Sequence, residues 1–262
     1  MNKTISILGC GWLGKPTAIK LLQKEFIVKG STTSVDKILE LKNCNVEPYL
    51  ISLENLNNTI EDFLDSEILL IALPSKNVEG FKSLIPFIEN SSIKNVLFIS
   101  STSVYKSNNE IVKEESEVQE SPLLEIENLF LNNFHFKTTI IRFAGLFGYN
   151  RKPGNFFKDG KIIPDPKGFV NMIHQDDCVL IISKIIENEI WGEIFNACTD
   201  SHPTREEFYT KAKKEIGVES PKFDNSTFSP FKIVSNTKIK KYLNYTFKYP
   251  NLLEVDYNSH VI

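Results

Sequence analysis

Gly9, Gly11 and Gly14 form a Gly-x-Gly-x-x-Gly in the stretch Gly9-Cys10-Gly11-Trp12-Leu13-Gly14. A short apolar run over residues 4–8 precedes it, and a helix-like segment over 13–23 follows. That setting is the one in which such a loop cradles a dinucleotide pyrophosphate. The first glycine permits the tight turn, the second lets the backbone approach the phosphates, and the third packs helix against strand. The helix N-terminus adds free N–H groups and a positive dipole. The expected contacts are Gly9, Gly11, Trp12, Leu13 and Gly14. About 20 residues further on, a carboxylate would bind the ribose hydroxyls of NAD. Here the segment reads Gly30-Ser31-Thr32-Thr33-Ser34, with no acid before Asp36. Ser31, Thr32 and Thr33, helped by Lys29 or Lys37, suit a 2′-phosphate, so NADP is expected over NAD. The alternative is that 31–34 simply cap the next helix.

A second polar group stands at Ser100-Ser101-Thr102-Ser103-Val104-Tyr105, after the apolar run 96–100. The carboxyl ends of buried strands are where open α/β sheets bind ligands. Tyr105 reads equally as a packed tyrosine with a satisfied hydroxyl. His174 has a side chain that titrates near neutrality, but a loop-tying role, to Asp177 or to backbone, is favoured. Glu114, Glu115 and Glu117 read as a solvated acidic loop. The four cysteines, at 10, 44, 178 and 198, form no Cys-x-x-Cys pair and no zinc spacing, so no metal is expected. Cys10, Cys178 and Cys198 lie in apolar segments, as suits a reducing compartment.

Alternating strand-like and helix-like segments position these groups. Strands are predicted over 4–8, 26–30, 46–51, 68–73, 96–100, 138–142 and 194–197. Helices are predicted over 13–23, 35–41, 57–64, 77–88, 123–132, 176–189, 204–216 and 236–243. The order calls for an α/β fold with a Rossmann-type, doubly wound parallel sheet. The Gly- and Pro-rich stretch 145–168 departs from the sheet. The chain has 262 residues, 41% of them hydrophobic, and a net charge of -3. Nothing in that balance asks for nucleic acid. No stretch approaches the roughly 20 apolar residues of a membrane span, and no signal peptide is visible. A cytoplasmic protein with a small-molecule ligand, and neither a nucleic-acid nor a membrane partner, is expected.

Further landmarks carry a family resemblance. Ile71-Ala72-Leu73-Pro74 follows the fourth strand, and Ile99 to Tyr105 forms a serine-rich strand end. Then come Ile141-Arg142-Phe143-Ala144-Gly145-Leu146-Phe147-Gly148, Asn171-Met172-Ile173-His174-Gln175-Asp176-Asp177, and Phe195-Asn196. With the glycine loop, this ordered set resembles the extended or atypical short-chain dehydrogenase/reductases, the NAD-dependent epimerase/dehydratase superfamily. Within it, Gly11-Trp12-Leu13-Gly14 together with Ser101 to Tyr105 resembles the bacterial YeeZ-type proteins. The resemblance implies that Leu73, Pro74 and Ser100 face the cofactor. It also implies that Ser101 hydrogen-bonds the substrate oxygen, and it leaves Tyr105 as the candidate for proton transfer. It implies a dinucleotide-binding core over 1–148 with returns near 172–198 and 233–262. The remaining part, 149–262, holds a small C-terminal substrate lobe built from 149–171 and 199–232.

One departure bears on function. Hydride-moving members carry Tyr-x-x-x-Lys on the helix after the serine-rich strand. Here that segment is Pro122-Leu123-Leu124-Glu125-Ile126-Glu127-Asn128-Leu129-Phe130, with neither residue. Thr102 and Ser103 stand where the dehydratases place acids. Two readings follow. One is an NAD(P)-dependent oxidoreductase, epimerase- or reductase-like, acting on a small polar or sugar-linked substrate with a displaced proton donor. The other is a dinucleotide-binding sensor or regulator without turnover.

Overall fold

In the computed structural model, residues 3–56, 59–157 and 160–257 are described. Seven strands form one sheet: β1 (Thr4–Leu8), β2 (Ile27–Thr32), β3 (Glu47–Leu50), β4 (Ile68–Ile71), β5 (Asn95–Ser101), β6 (Lys137–Phe143) and β7 (Ile194–Ala197). Their order is β7-β6-β5-β4-β1-β2-β3. The pairs β1–β2, β1–β4, β2–β3 and β4–β5 are parallel. This is the expected doubly wound Rossmann-type sheet, with the switch of direction at β1 beside the glycine loop.

The helices are α1 (Gly14–Leu22), α2 (Asp36–Asn43), α3 (Thr59–Phe63), α4 (Val78–Glu89), α5 (Pro122–Leu131), α6 (Gln175–Glu187), α7 (Arg205–Glu215) and α8 (Thr237–Leu243). Their starts follow local chemistry. The Asn77 side chain accepts from the Gly80 N–H to open α4, and Ser121 accepts from the Leu124 N–H to open α5. Thr204 and Glu207 exchange hydrogen bonds as a capping box at α7. The helix expected over 57–64 begins at Thr59 among the described residues; 57 and 58 lie outside them.

The chain divides into two compact units. One comprises Met1–Ser100, Gln119–Ile141 and Val179–Ile194; the other comprises Ser101–Val118, Arg142–Cys178 and Phe195–Ile262. The core of the first unit packs Leu8, Ile71, Phe81, Phe98, Ile126 and Phe130 among others. Phe98 and Phe130 stack with ring centres 5.3 Å apart, and Phe81 meets both edge-on. The second unit has its own core around Phe147, Ile163, Met172, Phe208, Leu252 and Tyr257.

The second unit also holds three parallel pairs of short strands that periodicity did not announce. Gly145–Phe147 pairs with Met172–His174, Ile163–Pro164 with Phe223–Asp224, and Glu110–Val112 with Lys232–Val234. Strands of two or three residues carry too little alternation to be read from a window.

Candidate functional site

The three loop glycines are glycine for different reasons. Gly9 has φ +102°, and a Cβ there would lie 2.7 Å from Leu73 Cδ2. At Gly14 a Cβ would fall 2.1 Å from the Gly9 carbonyl oxygen, so the helix could not lie this close to the turn. A Cβ at Gly11 would meet nothing within 4 Å. Leu13 gives α1 no side-chain cap. The loop is braced from β2: the Gly9 N–H donates to Ser31 Oγ at 2.9 Å and the Cys10 N–H to the Ser31 carbonyl at 2.8 Å. Cys10 is buried, which pushes its thiol up to about 12, so it packs rather than reacts.

A groove of about 150 Å³ runs along this loop, with Gly9, Gly11, Thr32, Thr33, Lys37, Ile51, Leu73 and Pro74 among its walls. Ser31 lines it too, yet its hydroxyl is turned to Gly9 and the residue is buried. It supports the loop instead of offering a free hydroxyl. Thr32 is also buried, and its Oγ1 accepts from the Ser34 N–H at 3.1 Å. Thr33 and Lys37 are exposed at the rim. Lys29 is buried with its ammonium on the Asp62 carbonyl. Lys37 is therefore the lysine of this segment that reaches the groove. Ser100 is buried and donates to the Glu127 carboxylate. Its hydroxyl is committed to α5. Glu127, fully buried, is a residue that sequence reasoning missed: nothing in Leu-Glu-Ile-Glu-Asn separates it from the exposed Glu125, which pairs with Lys82 at 3.1 Å.

In the second unit, Ser101 opens a short 3-10 turn over Thr102–Val104, its Oγ accepting from the Ser103 N–H at 3.1 Å. Ser101 stays partly exposed, while Thr102 is buried. Tyr105 is 0% exposed. Its hydroxyl donates to Asn196 Oδ1 at 2.8 Å and accepts from Arg142 Nη1 at 2.8 Å. The guanidinium lies 4.9 Å from the ring centre. Lys232 Nζ reaches the Tyr105 carbonyl at 2.6 Å. Glu114 joins the same group, its carboxylate accepting the Asn196 backbone N–H at 2.8 Å. Burial raises the Tyr105 hydroxyl above the usual tyrosine value despite Arg142, and it raises the Glu114 carboxyl as well. Of the two readings of Tyr105, this geometry is that of the packed tyrosine with a satisfied hydroxyl. A hydroxyl sealed from solvent, with its proton given to Asn196 and an Arg142 N–H accepted, is built into the framework.

The Asn171 to Asp177 segment is likewise a clamp. His174 is 2% exposed, its Nδ1 accepts the Asp176 N–H at 3.1 Å, and its ring lies 3.9 Å from that of Tyr249. Burial lowers its pKa to about 4. Burial disfavours the Asp176 carboxylate, but hydrogen bonds from Lys248 (2.6 Å) and Tyr149 (2.5 Å) prevail and hold it below the usual range. Asp177 accepts from the Tyr245 hydroxyl and the Lys248 backbone N–H at 2.6 and 2.7 Å. Asn171 holds both the Lys232 carbonyl and the Val234 N–H. Among the described residues no cluster of three or more His, Cys, Asp or Glu side chains could hold a metal, and no helix is long and apolar enough to cross a membrane.

Comparison with known proteins places this geometry. No protein-family model matches the chain. The YeeZ protein of Escherichia coli (strain K12) is 31% identical over 96% of this chain and 98% of its own length. Among solved structures, a functionally unknown conserved protein from Silicibacter pomeroyi DSS superposes with TM-score 0.80 at 20% identity, covering 96% of both chains. UDP-glucuronic acid 4-epimerase from Bacillus cereus, in complex with UDP-glucuronic acid and NAD, gives TM-score 0.80 at 18% identity over 97% of this chain and 98% of that one. A putative NAD-dependent epimerase/dehydratase from Methylobacillus flagellatus gives 0.73 at 18%, over 96% and 95%. The chain belongs to the YeeZ family, on the Rossmann-type fold of the NAD-dependent epimerases and dehydratases.

Proposed function

We propose that this protein binds a nicotinamide dinucleotide along the glycine loop, NADP in preference to NAD, and acts on a small polar or sugar-linked molecule. Gly11 carries the proposal. Gly9 and Gly14 are required by the chain's own packing, whereas Gly11 is exposed, with nothing within 4 Å of where its Cβ would be. Close approach of a pyrophosphate gives a reason for glycine there. The uncapped start of α1 offers N–H groups to the same phosphates. At the end of β2, the Thr33 hydroxyl and Lys37 flank the groove with no carboxylate among Thr32, Thr33 and Ser34. That supports a 2′-phosphate.

When bound, the dinucleotide supplies the hydride donor or acceptor. The loop fixes the phosphates, and Ser101 is the hydroxyl proposed to hold the substrate oxygen. α5 contributes neither tyrosine nor lysine, and a missing positioned acid–base group costs about 10²–10⁴ in rate. A sensor without turnover is the second reading, favoured by the fully paired Tyr105 hydroxyl.

Titration calorimetry with NADP and NAD tests the proposal. Gly11→Val is expected to melt like the parent and to lose dinucleotide binding. Unchanged affinity in that variant would overturn the binding proposal, and tighter binding of NAD than NADP by the parent would overturn the preference. Oxidation of NADPH with a panel of carbonyl compounds and sugar nucleotides separates enzyme from sensor.

A further inference from the structure

At the end of the sheet opposite the glycine loop, the starts of β1, β4, β5 and β6 surround an open cleft of about 460 Å³. That volume is within the range of small-molecule sites. Its walls include Lys3, Lys94, Lys137, His135, Phe134 and Trp191, all in the first unit. Lys3 is paired with Glu189, and Glu67 lies close enough to Lys3 to raise its pKa further. His135 faces Glu89 at 3.6 Å. Lys94 and Lys137 have no carboxylate partner among the described residues, and they are neighbours: the Lys137 N–H donates to the Lys94 carbonyl at 2.9 Å. Both line the cleft, so an anion entering it would meet two ammonium groups that have no carboxylate of their own among the described residues. Beside them Phe134 is 97% exposed and Trp191 partly exposed. A bare aromatic face next to unpaired ammonium groups is the chemistry that stacks a flat base and holds its phosphate.

We infer that this basal cleft is a second ligand site, for a nucleoside phosphate, with the base on Phe134 and the phosphate between Lys94 and Lys137. It shares no residue with the dinucleotide groove and stands whether or not that groove binds NADP. The chain has two tryptophans, Trp12 in the glycine loop and Trp191 in the cleft, so Trp12→Phe leaves Trp191 as the single emitter.

In that background ADP is expected to quench emission saturably, and equilibrium dialysis with labelled ADP gives the same binding curve independently of the optical response. Adding Gly11→Val, which closes the other groove, leaves both signals in place. Lys94→Glu with Lys137→Glu abolishes them while the melting temperature holds, because both side chains are exposed. Phe134→Ala weakens ADP about tenfold and leaves inorganic phosphate, measured by competition, unchanged. The inference is overturned if neither method finds saturable binding, if binding survives the charge reversal, or if it disappears with Gly11→Val. Equal loss of ADP and phosphate in Phe134→Ala would overturn the stacking arm.

Discussion

Replacing Tyr105 by Phe keeps the ring and the packing and deletes one oxygen. On sequence grounds alone the change is nearly silent for stability. In the structure that oxygen joins Arg142 Nη1 and Asn196 Oδ1, each at 2.8 Å, inside a site with no solvent access. Its removal strands a buried donor and a buried acceptor, at about 1–3 kcal/mol each. Arg142 keeps a longer contact to the Glu114 carbonyl at 3.4 Å, which offsets part of its share. Asn196 has no such reserve, since its Nδ2 already lacks a partner among the described residues. The expected loss is therefore about 2–4 kcal/mol, or roughly 4–16 °C in melting temperature for a chain of this size. Thermal and urea unfolding followed by circular dichroism measure it. Tyr242→Phe, on a ring that is 50% exposed, is the control and should stay within about 0.5 kcal/mol of the parent. Dinucleotide affinity should not change in either variant. A Tyr105→Phe protein melting within about 1 °C of the parent would refute the framework role and return Tyr105 to the list of free hydroxyls.

Gly14→Ala should destabilise where Gly11→Val does not, because its Cβ would stand 2.1 Å from a backbone oxygen. A loss of about 1–3 kcal/mol is expected from overpacking, and a parental melting temperature would contradict the close helix–turn contact. His174 should make folding acid-sensitive. Its pKa falls from 6.5 to about 4 on burial. Below pH 6.5 the unfolded chain therefore takes up a proton that the folded chain refuses, and stability drops as pH falls from about 6.5 to 4, by up to about 3 kcal/mol. Urea midpoints across that window should fall less steeply in His174→Gln; parallel slopes would exclude His174 as the cause.

Much of the fold was legible in the order of residues. The strands of the main sheet and the helices among the described residues were readable because each has its own local signal: a buried apolar run such as Ile68–Ile71, or an apolar stripe at helical spacing. The glycine loop was legible because its spacing between a strand and a helix is itself a local pattern, although Gly9 also answers to Leu73, far along the chain. The polar roles were not. Ser31 reads as a groove hydroxyl until Gly9, 22 residues away, is found to use it. Ser100 is taken by Glu127 across 27 positions, and Tyr105 by Asn196 across 91. Lys94, just before β5, and Lys137, at the start of β6, come to one cleft only because those strands lie next to each other in the sheet. A side chain's hydrogen-bond partner is set by which strands and loops become neighbours in space. Local periodicity, which reports backbone conformation and the buried face, carries no record of that pairing.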